Sequence, residues 1–227
     1  MIPALRLLAD ALRLRTPPRA LLYGLLNKLN YLTRTGNRRF EFERLYLEQE
    51  DPWSYRTSEY EERKYRHVLD RALGLRTGSA RALELGCSIG VFSRMLADAF
   101  AEVTAVDLSR EALAAAEGHC HGCPNLSFVR QDIRSLALPD RFDVIFCAEV
   151  LYYLPRKAAP AVLAVLERHL KPGGIVVLVA GRSAGGEGVL YFEDWKQLLP
   201  PRFRTVFEEA VEDPCRPYDV TVFTRAG

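Results

Sequence analysis

The stretch Ala82-Leu83-Glu84-Leu85-Gly86-Cys87-Ser88-Ile89-Gly90 constrains this chain more than any other. It reads as a buried strand, then a tight turn between two glycines, then an amphipathic helix over 91–99. Glycine lets backbone approach a ligand where a side chain would collide, and the amides that open a helix face whatever is bound there. A dinucleotide fingerprint would read G-x-G-x-x-G, but Ser88 stands where its second glycine would be. Glu84, two residues before Gly86, suits a ligand whose near end is cationic rather than a pyrophosphate.

The sequel repeats the theme. Glu102-Val103-Thr104-Ala105-Val106-Asp107 is a second short apolar strand, ending in an acid 21 positions beyond Gly86. That is about where a doubly wound sheet brings an acid to a ribose, and a carboxylate can accept from both ribose hydroxyls. Ser109 then caps a helix with Glu111 in its first turn. A third strand, Leu126-Ser127-Phe128-Val129-Arg130, leads into Gln131-Asp132-Ile133. A fourth runs through Arg141-Phe142-Asp143-Val144-Ile145-Phe146-Cys147-Ala148-Glu149-Val150, and Leu170-Lys171-Pro172-Gly173-Gly174 turns into a fifth. The alternation over 81–85, 91–99, 102–106, 110–117, 126–129, 142–147, 157–170 and 175–180 predicts a mostly parallel sheet with helices on both faces. A helix over 58–73, capped by Ser58, precedes it. At the end, a helix over 192–199 comes before strands over 202–210 and 218–224. Only Asp213-Pro214-Cys215-Arg216-Pro217 separates the core of that pair, so it is expected to be antiparallel.

Acid-x-Gly-x-x-x-Gly after a strand, followed by these acids in this order, resembles motif I and its sequel in the class I S-adenosylmethionine-dependent methyltransferases. The resemblance implies an α/β, Rossmann-like fold: a seven-stranded, mostly parallel sheet with one antiparallel strand near the C-terminus and helices on both faces. It implies S-adenosyl-L-methionine as cofactor and S-adenosylhomocysteine as product, with Asp132 accepting from the adenine amine and an amide at Ile133 meeting the ring. A second string, Asp51-Pro52-Trp53-Ser54-Tyr55-Arg56-Thr57-Ser58-Glu59-Tyr60-Glu61-Glu62-Arg63-Lys64-Tyr65, narrows it. Together with 83–90 and Glu149-Val150-Leu151-Tyr152-Tyr153-Leu154, it resembles the nodulation S family over roughly residues 50 to 180. That family N-methylates a glucosamine freed of its acetyl group at the end of a chitin-like oligosaccharide. The arm before residue 45 lies outside the resemblance. On this basis the cofactor-binding candidates are Tyr60, Arg63, Glu84, Gly86, Cys87, Gly90, Asp107, Leu108, Asp132, Ile133 and Cys147.

Methyl transfer from a sulfonium is an in-line displacement with an activated donor, so a protein mainly aligns the acceptor and excludes water. A nitrogen acceptor attacks in its neutral form, and a nearby carboxylate can take its proton or orient it. Glu149, at the carboxyl edge after the fourth strand, is the catalytic candidate; its competing role is to hold a helix end or a backbone amide. Tyr152 is the second, since Tyr152 and Tyr153 could wall the acceptor site, one of the pair belonging to the core. Arg63 could pair the methionine carboxylate through its planar fork with Tyr60 beside it, or simply face solvent. Trp53 and Tyr55 could line a lid or anchor a loop.

Charge is unevenly spread. Residues 1–40 carry Arg6, Arg13, Arg15, Arg19, Lys28, Arg34, Arg38 and Arg39 against Asp10 alone, a charge of +7 that leaves −5 on the remainder of a +2 chain. Within this arm Leu5, Leu8 and Leu12 form a helical stripe over 3–14, Thr16-Pro17-Pro18 breaks it, and a second apolar stretch covers 20–32. It reads as a packed cap or dimer contact, as a peripheral membrane-surface helix, or as a targeting segment that Asp10 fits poorly. The division is an arm over 1–50 and a methyltransferase domain over 51–227. No apolar run approaches the ~20 residues that cross a bilayer. An odd set of five cysteines points to reduced thiols and a cytoplasmic setting. His119-Cys120-His121-Gly122-Cys123 has metal-binding residue types but no distant second pair, so no metal is expected. The acidic body, and Ala148-Glu149-Val150-Leu151 in place of a base-flipping Asn-Pro-Pro-Tyr, argue against nucleic acid. The expectation is a methyltransferase for a small-molecule or oligosaccharide acceptor, the amine of an amino sugar or sugar-derived metabolite above others, acting as monomer or homodimer. Its rivals are O-methylation of a sugar hydroxyl or lipid-linked glycan, and a non-catalytic partner that only binds the cofactor or its product.

Overall fold

Leu83 sits at the centre of the sheet because β1 (Arg81–Leu85) is hydrogen-bonded along both edges. It pairs in parallel with β2 (Glu102–Asp107) through Leu83 and Thr104, and with β4 (Phe142–Ala148) through Leu83 and Ile145. A strand covered on both edges and both faces must be apolar throughout, which is what made it conspicuous in the sequence. The full order is β3-β2-β1-β4-β5-β7-β6, with β3 (Leu126–Arg130), β5 (Leu170–Gly181), β6 (Phe203–Val211) and β7 (Tyr218–Arg225). β7 runs antiparallel to both its neighbours, pairing Val222 with Val177 and Val220 with Glu209. The expected seven-stranded sheet with one reversed strand near the C-terminus is therefore present. β5 starts earlier than 175: Leu170 already pairs Phe142, and after a bulge Ile175 pairs Val144. Lys171 braces that bulge with Nζ 3.0 Å from both oxygens of Asp143, and Gly173 supplies its positive φ of 75°.

The structure, a computed structural model, describes residues 22, 24–26, 39–75, 80–182 and 192–225. The expectations for 3–14, for Thr16-Pro17-Pro18 and for most of 20–32 lie outside the described residues, as do the cap, membrane and targeting readings that depend on them. Among the described residues no helix is long and apolar enough to cross a membrane.

Strand alternation sends side chains to two cores. On one face Val144 and Phe146 meet Tyr65, Val68 and Ala72 of α2 (Glu59–Leu75) and Phe92 and Leu96 of α3 (Val91–Ala99). On the other, Ile145 and Cys147 meet Val162 and Leu166 of α5 (Ala159–His169) and Trp195 of α6 (Phe192–Leu198). The expected caps are made: Ser58 Oγ accepts from the Glu61 amide at 3.2 Å, and Ser109 Oγ from the Ala112 amide of α4 (Arg110–His119) at 3.2 Å. Chain order reverses between β1 and β4, so the connections leave in opposite directions and a crevice opens at the carboxyl ends of these two strands.

One helix was not anticipated. α1 (Arg39–Glu48) has alternating phenylalanines that mimic a strand, and its two buried positions, Glu43 and Tyr46, include a glutamate, so no apolar helical stripe is visible. The division at residue 50 places α1 in the arm, yet Glu43 seats it on α4. The fully buried Glu43 carboxylate accepts from Ser109 Oγ at 2.9 Å, from the Arg110 amide at 3.0 Å and from the Glu111 amide at 3.3 Å. Arg130 adds an ion pair at 2.7 Å. A carboxylate at a helix N-terminus meets orphan amides and the positive end of the macrodipole together. Glu43→Ala should lower unfolding stability by about 2 kcal/mol, whereas Glu48→Ala, whose partner Arg44 is exposed, should stay within about 0.5 kcal/mol; paired denaturant titrations would check both.

Candidate active site

A cleft of about 1010 Å³, counting its solvent-open mouth, lies at the crevice. Its floor is the glycine turn, and both glycines answer to the protein's own packing. A Cβ on Gly86, at φ 80°, would lie 2.4 Å from Val150 Cγ2; one on Gly90, also at φ 80°, would lie 3.0 Å from Ala116 Cβ and Cys120 Sγ. The direction a side chain would take at each glycine is thus occupied by the protein itself, Val150 at one and α4 at the other. Between them, Ser88 takes a positive φ of 52° so that its amide donates to Asp107 Oδ2 at 2.9 Å, while the Ser109 amide donates to Oδ1 at 2.9 Å. Asp107 therefore ties the first glycine turn to the start of α4. Burial raises its carboxyl above the ordinary value, against the pull of the Ser109, Ser88 and Leu108 amides.

Glu84 lies deeper. Burial pushes it up to about 7; the Ser93 hydroxyl, which donates to Oε2, opposes the shift, and the negative charge of Asp107 adds to it. Asp132 behaves the other way. Burial works against its charged form, but the Arg134 guanidinium and amide, both 2.9 Å from Oδ1, hold it below the usual carboxylate range. These three acids, at or just past the ends of β1, β2 and β3, all line the cleft, with Gly86, Cys87, Leu108 and Ile133. Glu149 lines it from the end of β4 in a left-handed conformation, φ 55°. Its Oε1 lies 2.9 Å from Lys64 Nζ and its Oε2 accepts from the Gly181 amide at 3.1 Å, so it does hold a backbone amide.

The remaining candidates fall elsewhere. Arg63 is 53% exposed and reaches Asp213 at 3.4 Å, on the solvent side of α2. Tyr60 packs edge-on to Tyr218 with ring centres 6.4 Å apart, outside the cleft lining. Gly90 lies beneath α4. Cys147 belongs to the opposite core, and it and Tyr152 border a small separate cavity beside Trp195, the Tyr152 ring lying 4.6 Å from that of Tyr153. Tyr153, not Tyr152, faces the cleft, because in the 3-10 turn Leu151–Tyr153 successive side chains point about 120° apart. Trp53 and Tyr55, stacked 5.6 Å apart, do form part of its wall.

Several wall residues carried no sequence signal. Tyr46 of α1 donates to Ser88 Oγ at 2.6 Å, and Phe42 meets Tyr153 edge-on at 5.1 Å. Arg134 stands two residues after Asp132 and could have been noticed as a fork beside an acid. Lys64 and Tyr65 stand in the string already singled out, one and two positions after Arg63.

A family model described as Nodulation protein S (NodS) matches residues 35–184. The chain belongs to the nodulation protein S family. The family match takes in α1 and every cleft residue named above. A nodulation protein S from Bradyrhizobium diazoefficiens is 37% identical over 106 residues, 46% of this chain and 50% of that protein. A ubiquinone biosynthesis O-methyltransferase from Methylococcus capsulatus is 37% identical over 100 residues, 42% of this chain and 41% of its own length. The chain thus spans half or less of these two curated relatives. Among solved structures, an N-methyltransferase NodS from Bradyrhizobium japonicum in complex with S-adenosyl-L-homocysteine superposes with a TM-score of 0.70 at 22% identity, covering 84% of this chain and 100% of that one. That likeness establishes the class I methyltransferase fold.

Glu84 offers a test of the cleft's electrostatics that needs no ligand. Its value of about 7 exceeds the ordinary 4.5, so its contribution to stability is intact below pH 4.5 and is lost as pH rises through 7. Glu84→Gln should therefore gain stability relative to the parent by an amount on the order of 3 kcal/mol as pH goes from 4.5 to 8. A gap in unfolding free energy that stays flat across that range would show Glu84 ionised at no cost.

Proposed function

We propose that this chain transfers a methyl group from S-adenosyl-L-methionine to the amine of a small polar acceptor of the amino-sugar class. The observation that carries the reading is one cleft flanked by Glu84, Asp107 and Asp132, each at or just past the carboxyl end of a neighbouring strand. These residues fit the cofactor by chemistry. A buried Glu84 with a raised carboxyl value is short of a cation, which an α-ammonium would supply. Asp107 has both oxygens fixed by amides and keeps free lone pairs for two ribose hydroxyls. Asp132, anchored by Arg134, can accept from an exocyclic amine, and Ile133 lies beside it. When bound, the cofactor supplies an activated, electrophilic methyl group. What the chain adds is a walled cleft, with Trp53, Tyr55 and Tyr153 excluding water and offering ring faces to a sugar.

Nitrogen is favoured over oxygen by the state of Glu149. A neutral amine attacks with its own lone pair and needs only to be oriented, which a carboxylate held at both oxygens by Lys64 Nζ and the Gly181 amide can do, whereas a sugar hydroxyl needs a group free to take its proton. The printed description of the NodS structure, an N-methyltransferase, points the same way; the O-methyltransferase relative keeps the oxygen reading as the second. Screening radiolabelled methyl transfer to free-amine, N-acetylated and amine-free sugars separates the two.

Titration calorimetry with S-adenosylhomocysteine tests the cofactor assignment. One-to-one binding is expected at pH 8, with Asp107→Asn weakening it about tenfold, since an amide keeps only one of the two acceptor oxygens. Below pH 7 binding must expel the Glu84 proton, so affinity should fall by up to about tenfold per pH unit. That pH dependence should disappear in Glu84→Gln. Absent binding by the folded protein would overturn the proposal and leave the non-catalytic reading to be tested with other ligands.

A further inference from the structure

All five cysteines are free thiols, and two of them, Cys120 and Cys123, stand at the ends of one turn. The Cys123 amide donates to Cys120 O at 3.1 Å, and Gly122 supplies a positive φ of 93°. Such a turn brings its end Cα atoms to less than about 7 Å, and disulfides span about 4.4–6.8 Å between Cα atoms. The fold anchors both ends. The Cys120 amide donates to Ala116 O of α4 at 2.8 Å, and the Leu126 amide of β3 donates to Cys123 O at 3.2 Å. Asn125 Nδ2 adds bonds to Ala97 O at 2.8 Å and Phe100 O at 2.9 Å, which tie the turn to the end of α3. The backbone is thus in place for a bond, and side-chain rotation brings the sulfurs together.

In the reduced protein the Cys120 sulfur is occupied differently. It is buried against the glycine turn, where its S–H donates to Gly90 O at 3.2 Å. Gly90 O also accepts from the Arg94 amide at 3.0 Å, and the Gly90 amide donates to Cys87 O at 3.0 Å. Cys87 lines the cleft, so the thiol reaches the cleft floor through Gly90 alone. Cys123 is half-buried. Arg94 Nη1, 3.4 Å from His119 O, sets an exposed guanidinium beside the turn, which suits an anionic oxidant.

We infer that Cys120 and Cys123 close a reversible disulfide with a low-molecular-weight disulfide of the glutathione class, and that closure draws the Cys120 sulfur off Gly90 and weakens cofactor binding. The pair stands on its own geometry; its effect on the cofactor rests on the methyltransferase reading. The Cys123 thiolate attacks one sulfur of the oxidant, forming a mixed disulfide as one thiolate leaves. Cys120, its proton lost to water, attacks the Cys123 sulfur, and the second thiolate leaves. The two protein thiols give up two electrons and two protons. The oxidant's sulfur–sulfur bond takes the electrons, and its two thiolates take up protons. Burial pushes the Cys120 thiol up to about 12, so its attack is the slow step and quickens as pH rises. Linkage is reciprocal: a cofactor that needs the reduced turn also opposes its oxidation.

The full chain is equilibrated with glutathione and glutathione disulfide at a series of ratios, and peptide mass mapping reads the bond. A Cys120–Cys123 crosslink, two hydrogens lighter and reversed by dithiothreitol, is expected in the parent. It is expected equally in Cys215→Ser, which removes the exposed competing thiol. Oxidised parent should bind S-adenosylhomocysteine at least about fivefold more weakly than reduced parent. Cys123→Ser should bind like the reduced parent with or without oxidant. A glutathione adduct that never resolves, or a crosslink to another cysteine, would overturn the pair. A crosslink that leaves S-adenosylhomocysteine affinity unchanged would overturn the coupling to Gly90. Failure of the reduced parent to bind would overturn the methyltransferase reading, while the mass map would still decide the disulfide.

Discussion

Removing a carboxylate from water costs several kcal/mol unless fixed donors replace the water, and this protein does it repeatedly along one edge of its sheet. Glu43, Glu61, Glu84, Asp107, Asp132 and Glu149 are all buried or half-buried there. Each is answered by a fixed donor: helix-opening amides for Glu43, Lys64 for Glu61 and Glu149, Ser93 for Glu84, turn amides for Asp107, and Arg134 for Asp132. The architecture of the edge follows from meeting those demands together. α1 lies where Glu43 can reach α4, α2 lies where Lys64 can reach Glu149, and the glycine turn bends so that Ser88 can reach Asp107.

Glu84 is the acid least fully answered. A single hydroxyl does not offset its burial, so its carboxyl stays at about 7 while Asp132, with a guanidinium, falls below the ordinary range. The cleft is therefore uneven: one end is short of a cation, the other already holds one. A ligand with a cationic head and a hydrogen-bonding aromatic tail matches that unevenness better than a uniformly anionic one would.

Both glycines of the turn are required by packing. Gly86 must be glycine because Val150 crosses over it, and Gly90 because α4 presses on it. The turn's shape is thus held by the body of the protein, which lets its amides keep their directions whether or not a ligand is present. Val150 itself follows Glu149, so the residue that fills the space over the turn is bonded directly to the acid at the end of β4. The glycine turn and the acid at the end of β4 meet at that one peptide.

The sequence by itself determined the sheet, the order of its acids and the caps of α2 and α4, because these depend on local periodicity: apolar runs for strands buried on both faces, a hydroxyl before a helix, glycine where φ is positive. It also brought Glu84, Asp107, Asp132 and Glu149 to one edge, since each lies at or just past the carboxyl end of a strand whose direction the alternation dictates. What only the tertiary structure decided is which neighbour faces inward. Lys64 rather than Arg63 is buried, and Tyr153 rather than Tyr152 lines the cleft, and a rotation of one residue about a helix or a 3-10 turn settles each pair. Helix α1 was hidden for a related reason. Its buried face is a glutamate and a tyrosine, whose partners, Ser109, Arg130 and Ser88, are separated from it by 42 residues or more. Partnerships at that range leave no periodic trace, because they depend on where the chain returns and not on what lies three or four residues away.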